Sequence, residues 1–311
     1  MNDQSISSMV EYDEIDLREL FSVLWTGKKL IIGITAVFAL VSVVYALQLP
    51  NQYQASTVLA PASQETGGMA GALGQLGGLA SLAGISLGDA DSSEGQIAQQ
   101  VMRSRSFVEA FIEKNDLTVE IMAANGWDSK TNQLSIDDDL YDVESAQWVR
   151  QPPRDKSVQP SGWELFEAFL ERYSVAQDKK TGMVTVSVEY YSPLLAKEWT
   201  ERLVDAINLH MQSRKLQQVN RNIEYLEAQI EKTPIADMRE VFYTIIEEQI
   251  KSKMLAQASP EYVFETVSPA MVPEEKSTPK RALICILATL LGGMLSVLWI
   301  LIRHYGSNTN Q

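Results

Sequence analysis

Residues 30–49 read LIIGITAVFALVSVVYALQL, and residues 282–302 read ALICILATLLGGMLSVLWILI. Neither stretch holds an Asp, Glu, Lys or Arg. At 1.5 Å per residue each makes a helix of roughly 30 Å, the thickness of a bilayer's hydrocarbon core. A helix buried in a water-soluble core keeps a polar edge over that length. A cleaved signal has a shorter apolar run and small residues at its cut site, which Tyr45-Ala46-Leu47-Gln48 is not. The two stretches predict a two-span membrane protein. The expected organisation is a cytoplasmic segment 1–29, a first span 30–49, one large domain 50–281 on the far side, a second span 282–302 and a cytoplasmic tail 303–311. Lys28-Lys29 directly precede the first span and no Lys or Arg closely follows it, which is the positive-inside pattern. Lys276, Lys280 and Arg281 flank the second span on the outer side, so the orientation rests on the first.

The chain has 311 residues and a formal charge of −14. The segment between the spans is long enough to bury a good core. Its acidity excludes a nucleic-acid partner, which needs a basic face, and a surface that clings to anionic lipid. Cys285, the only cysteine, lies in the second span, so there is no intramolecular disulfide and no Cys-based metal site. His210 and His304 are the only histidines. His210 falls in a helical pattern, which predicts a surface helix position rather than a ligand or a catalytic base. No cofactor, metal or catalytic residue is expected.

Within the first segment, Ile15, Leu17, Leu20, Phe21 and Leu24 recur near helical spacing, which predicts a short interfacial helix. Tyr53 to Ala60 reads as a strand. Gly67 to Gly88, GGMAGALGQLGGLASLAGISLG, carries no charge. It lacks the Lys-Ser/Thr of a phosphate loop and the G-x-G-x-x-G of a dinucleotide site. It reads as a flexible loop, with contact to lipid, a neighbouring subunit or a membrane partner as the alternative. Ile97 to Leu117 reads as helix broken near Arg103–Ser106. Asn125 to Gly162 is polar, with a turn at Asn125-Gly126. Its Asp137-Asp138-Asp139 lacks the alternating ligands of a calcium loop. A helix is expected from Trp163 to Tyr173, capped by Ser161 with Glu164 three residues on.

Met183 to Tyr190 alternates as a half-buried strand. Ser192-Pro193 then supplies an N-cap and a first-turn proline. The next proline is Pro234 and no glycine intervenes. That predicts a helix of about 40 residues and roughly 60 Å, longer than a compact core. Leu216, Val219, Ile223, Leu226 and Ile230 form a seam spaced three and four apart, suited to packing on the next helix, Ile235 to Ala258. Together they make a hairpin, 193–258. Its apolar side carries Met238, Val241, Phe242, Ile245 and Ile246. Tyr262 to Val267 reads as a returning strand, before Pro269, Pro273 and Pro279. The fold class is α+β: two transmembrane helices flanking a periplasmic α/β domain with a long projecting helical hairpin.

Asp13 to Tyr45, DEIDLRELFSVLWTGKKLIIGITAVFALVSVVY, and Ser268 to Arg303, SPAMVPEEKSTPKRALICILATLLGGMLSVLWILIR, together resemble the Wzz chain-length determinants. These are polysaccharide co-polymerases of the Gram-negative inner membrane. The family's exit motif is a spaced set of prolines, a basic residue and glycines within the span. Pro269, Pro273, Pro279, Lys280, Gly292 and Gly293 stand in those places. The uncharged run from Gly67 is longer than in the best-known members, and the helix ending near Pro234 is shorter than their longest.

The resemblance implies a homo-oligomeric ring in the inner membrane that carries out no bond chemistry. Beside an O-antigen polymerase acting on lipid-linked polysaccharide, it sets the modal length of the polymer. The paired carboxylates Glu247-Glu248 and Glu274-Glu275 do not suit a glycosidase, whose two groups face each other across a cleft. Two other classes compete. A transmembrane adaptor of a capsule or exopolysaccharide exporter would share the exit motif. With only Tyr305 past the second span, its tyrosine kinase is expected on a separate chain. A two-span sensor needs a cytoplasmic output domain, for which the residues after Ile302 are too few.

Overall fold

The computed structural model describes residues 24–62, 90–152 and 156–308. Residues 13–23 of the expected interfacial helix and the glycine-rich run 67–88 lie outside them. Two compact units emerge: Met1–Pro50 with Thr278–Gln311, and Asn51–Ser277.

The larger unit is built on a four-stranded antiparallel sheet. Its strands are β1 (Tyr53–Pro61), β6 (Tyr173–Gln177), β7 (Val184–Tyr190) and β8 (Phe264–Ser268). They lie in the order β6-β7-β1-β8. Tyr53 pairs with Tyr190 and Leu59 with Val184, so the first and last residues of β7 meet opposite ends of β1. The alternation read from sequence holds: Val184, Val186, Val188 and Tyr190 are buried. On the other face the Ser56 and Ser187 hydroxyls hydrogen-bond across the pair at 2.9 Å.

One helix covers the buried face. It is α6 (Pro193–Lys232), 40 residues long, and the Ser192 side chain accepts from Leu195 N at its start. Ala196, Trp199, Leu203, Ile207 and Met211 enter the core, where α6 packs on β1 and β7. Trp199 stacks obliquely on Tyr190, ring centroids 4.3 Å apart, and contacts Phe169 at 6.3 Å. Asn208 is buried in the same stripe. Its amide donates to Phe264 O and its carbonyl accepts from Val263 N and Phe264 N, each at 3.0 Å. One side chain thus supplies the partners a neighbouring strand would give.

Past Met211 only Val219 of α6 is fully buried, so the distal helix leaves the core. It runs beside α7 (Ala236–Ala258). Leu216, Val219, Ile223, Leu226 and Ile230 are all buried or half-buried. Phe242, Ile245 and Ile246 of α7 are covered, whereas Met238 and Val241 stay exposed. Gln212 donates to Ala256 O and Ser259 O at 2.8 and 3.1 Å, taking up carbonyls that the end of α7 leaves unpaired.

Three short helices pack beneath: α2 (Ala90–Met102), α3 (Arg105–Lys114), capped by Ser104, and α4 (Thr118–Met122). The break near Arg103–Ser106 falls where the sequence placed it. The helix α5 (Gly162–Leu170) begins with the Ser161/Glu164 capping box. It stops before Tyr173, which the sequence reading had included and which instead opens β6. Five residues with two buried side chains are too short for alternation to outweigh a helical reading.

The polar stretch after Asn125 is also more ordered than its composition suggested. It folds as two hairpins, β2 (Ala124–Asp128) with β3 (Gln133–Ile136), and β4 (Tyr141–Asp142) with β5 (Gln147–Trp148). Asn125-Gly126 is therefore strand, not turn, and the ladder shifts register there, as a glycine in a bulge permits. The turn sits four residues on. There Asp128 accepts from Lys130 N and Thr131 Oγ1, and Asn132 takes a φ of 54°.

The smaller unit contains two long helices, α1 (Lys28–Gln48) and α8 (Arg281–Asn308). Lys28–Gln48 and Arg281–Arg303 are each long and apolar enough to cross a membrane, and the two helices pack on each other.

Candidate functional site

The six residues of the exit motif divide between the two units. Pro269 and Pro273 belong to the larger one; Pro279, Lys280, Gly292 and Gly293 belong to the smaller.

Pro269 follows the last residue of β8 and has no N–H to extend the ladder. From there to Ser277 the chain is neither helix nor strand. Pro269 is exposed and Pro273 half-buried. The segment is nevertheless fastened. Ser277 N donates to Gln52 O at 2.9 Å. The Ser277 hydroxyl contacts Gln52 O at 3.1 Å and also hydrogen-bonds the Glu189 carboxylate. Lys276 Nζ reaches Asn51 Oδ1 at 3.5 Å. The two ends of this unit, where the chain arrives and leaves, are thereby clasped side by side.

In the smaller unit Lys280 is exposed, and its carbonyl accepts from Leu283 N and Ile284 N to start α8. The neighbouring Arg281 donates to Ala46 O at 2.9 Å and Leu49 O at 3.2 Å. It supplies donors to the carbonyls that the end of α1 cannot satisfy itself. Sequence reasoning counted Arg281 only as a flanking charge. The Lys-Arg pair at the head of a span was the available signal, and only the packing of α1 on α8 shows which member reaches the other helix.

At Gly292 α1 lies close against α8. A Cβ there would lie 2.6 Å from Phe38 Cβ and 2.7 Å from its Cγ, whereas one on Gly293 would meet only Thr35 Oγ1 at 3.8 Å. The sequence left open whether these glycines admit a partner's helix or the chain's own first span. At Gly292 the place is taken by the chain's own Phe38. Ser42, Ala46 and Ser296 are also buried. The hydroxyls of Ser42, Thr289 and Ser296 bond carbonyls of their own helices at 2.7 to 2.8 Å, the back-bonding that Ser and Thr make within a helix. Thr35 Oγ1 is buried with no partner.

Residues weighed for chemistry stand apart from one another. His210 is exposed on α6 and meets the Phe107 ring edge-on at 5.9 Å. Glu247 pairs with Lys251 on the surface of α7, and Glu274-Glu275 are exposed. Among the described residues no group of three His, Cys, Asp or Glu side chains could hold a metal. The most strongly perturbed carboxylate is structural: Glu164 is held down at about 2 by hydrogen bonds from Arg150 and from the Ser161 backbone.

The Wzz family model, described as "Chain length determinant protein", matches residues 13–115. That span takes in α1, β1, α2 and α3. The chain carries a Wzz-type domain over that span. The GNVR model, described as "G-rich domain on putative tyrosine kinase", matches residues 237–305, from α7 through the proline segment into α8. No curated protein matches the chain significantly. Among solved structures it is similar to a full-length bacterial polysaccharide co-polymerase at 17% identity. The match covers 95% of this chain and 99% of that one, with a TM-score of 0.38. It is also similar to a fragment of WzzB, a polysaccharide co-polymerase from Salmonella Typhimurium, at 11% identity. There the shares are 73% and 100%, and the TM-score is 0.29. Neither likeness is close enough to carry an argument about detail.

Proposed function

We propose that this Wzz-type chain is a non-enzymatic regulator of polysaccharide chain length in the Gram-negative inner membrane. Domain 50–281 is periplasmic and both termini are cytoplasmic. The chain works as a homo-oligomeric ring beside an O-antigen polymerase, on lipid-linked polysaccharide, with membrane lipid around its two spans. The observation that carries this reading is the Wzz match over residues 13–115, continuous with a first span whose C-terminus is capped from the second by Arg281. The clasp at Asn51–Gln52 and Ser277 supports it, because a domain whose ends leave together is suited to two adjacent spans. Exposed Tyr243, Ile250, Met254 and Leu255 on α7 support assembly, since the chain itself leaves them uncovered.

A periplasm-active reporter joined after Val158 is expected to be active, and one joined after Gln311 inactive; the reverse pattern sinks the topology. Deleting the gene should turn modal surface-polysaccharide bands into an unregulated ladder. The GNVR match favours a second reading, an adaptor of an exporter that partners a tyrosine kinase. In that case deletion would abolish exported polymer and tyrosine phosphorylation together and leave lipopolysaccharide banding intact.

A further inference from the structure

The hairpin insert after α4, to which the sequence assigned no role, borders an open groove of about 650 Å³. Its floor and walls include Asp116, Glu120, Tyr141, Gln147, Trp148 and Gln159. Tyr141 and Trp148 face each other across β4–β5, ring centroids 5.1 Å apart at 64°, and both are half-buried. Rings held this way keep an apolar face and a polar edge available at once. Glu120 Oε2 is buried against the protein and makes no hydrogen bond. Burial raises the Glu120 pKa, and the Asp116 charge adds to the rise.

We propose that this groove binds one neutral sugar unit of the polysaccharide and turns acidic sugars away; the proposal rests on the chain-length reading above. A sugar presents a C–H face that lies on an aromatic ring and a rim of hydroxyls that both donate and accept. Tyr141 and Trp148 supply the rings, Gln147 and Gln159 supply amides of both senses, and exposed Asp116 supplies a carboxylate acceptor. Asp116 and Glu120 line the groove, and among the described residues no Lys or Arg does. A uronate would bring a like charge to within a few ångströms, which is repulsive at any reasonable dielectric. The Arg150–Glu164 ion pair holds the rest of the insert. Arg150 Nε donates to Val158 O at 2.7 Å, which positions the segment carrying Gln159.

Saturation-transfer NMR on the full chain in mild detergent tests this, with neutral tetrasaccharides of glucose, galactose and mannose as probes and tetragalacturonate as the acidic comparison. Transfer is expected to at least one neutral probe and not to tetragalacturonate. Trp148→Ala should weaken the neutral interaction at least tenfold. The double variant Asp116→Asn, Glu120→Gln keeps the rings and should admit tetragalacturonate, which a fold made fragile by losing Trp148 could not mimic. No transfer to any neutral probe, equal transfer to both classes, or indifference to Trp148→Ala overturns the proposal. Polysaccharide banding separates the two readings. Unchanged bands with Trp148→Ala, in a strain whose bands collapse on deletion, remove the groove and leave chain-length control standing. Unchanged bands on deletion remove chain-length control itself.

Discussion

Arg150 shows how one residue can organise a segment that has little apolar surface. Its guanidinium is buried and forms a bidentate pair with Glu164 at 3.0 and 3.1 Å, while donating to Ser157 O and Val158 O. Glu164 closes the capping box on α5 at the same time. The Arg150 hydrogen bonds are the leading cause of its lowered pKa, about 2 against an ordinary 4.5. A carboxyl depressed on folding contributes stability that is full above the unfolded value and is lost as pH falls through the folded one. The window is therefore about pH 4.5 down to 2. After allowance for solvent screening the contribution is about 1–2 kcal/mol. Arg150→Met should lower stability by about that much at pH 6, and the gap to the unaltered chain should shrink as the pH approaches 2. Urea unfolding in detergent, followed by tryptophan fluorescence at pH 6 and pH 2.5, measures it. A gap of the same size at both values would mean that the pair does not set the Glu164 charge.

At the scale of elements, the two spans are matched to each other residue by residue. Gly292 is needed because Phe38 lies on its backbone, and Gly293 is not needed in that sense. Overfilling a close helix contact costs about 1–3 kcal/mol. Gly292→Ala should therefore lower the melting midpoint in detergent by several degrees, and Gly293→Ala by no more than about one. Phe38→Gly placed on Gly292→Ala, which takes away the Cβ at 2.6 Å, should recover more of the loss than Phe38→Ala, which keeps it. Equal effects of the two alanines would mean that the contact with α1 is not what Gly292 serves. The small residues of α8 are thus largely occupied within the chain.

For the whole molecule the expectation is a large homo-oligomer. The chain purified in mild detergent should have a mass many times that of a 34.7 kDa subunit by mass photometry, and a monomer across several detergents would count against the ring. The prolines enter at this scale. Pro273→Ala, scored on the same samples, is expected to keep the oligomer and shift the modal polysaccharide length. Loss of the oligomer would assign Pro273 to folding alone, and no change in either would take it out of the functional set.

The sequence alone determined whatever is written in a run of neighbouring residues. The uncharged runs 30–49 and 282–302 announced two spans. Ser192-Pro193 and Pro234 bracketed the long helix, and Ser161 with Glu164 announced the cap of α5. The strict alternation from Val184 to Tyr190 announced the central strand. Each of these signals is local, since periodicity and capping depend on residues at most four apart. Elements of five residues or fewer, such as β6 and the two hairpins of the insert, carried too little pattern to outweigh turn residues like Asn125-Gly126. Only the tertiary structure decided which distant groups meet, Asn208 with the start of β8, Arg281 with the end of α1 and Phe38 with Gly292, and that Tyr141 and Trp148 line one groove with Asp116 and Glu120. Those meetings depend on how helices and strands pack. A packed interface is selected by the shape and unsatisfied polarity of two surfaces together, which neither segment encodes by itself.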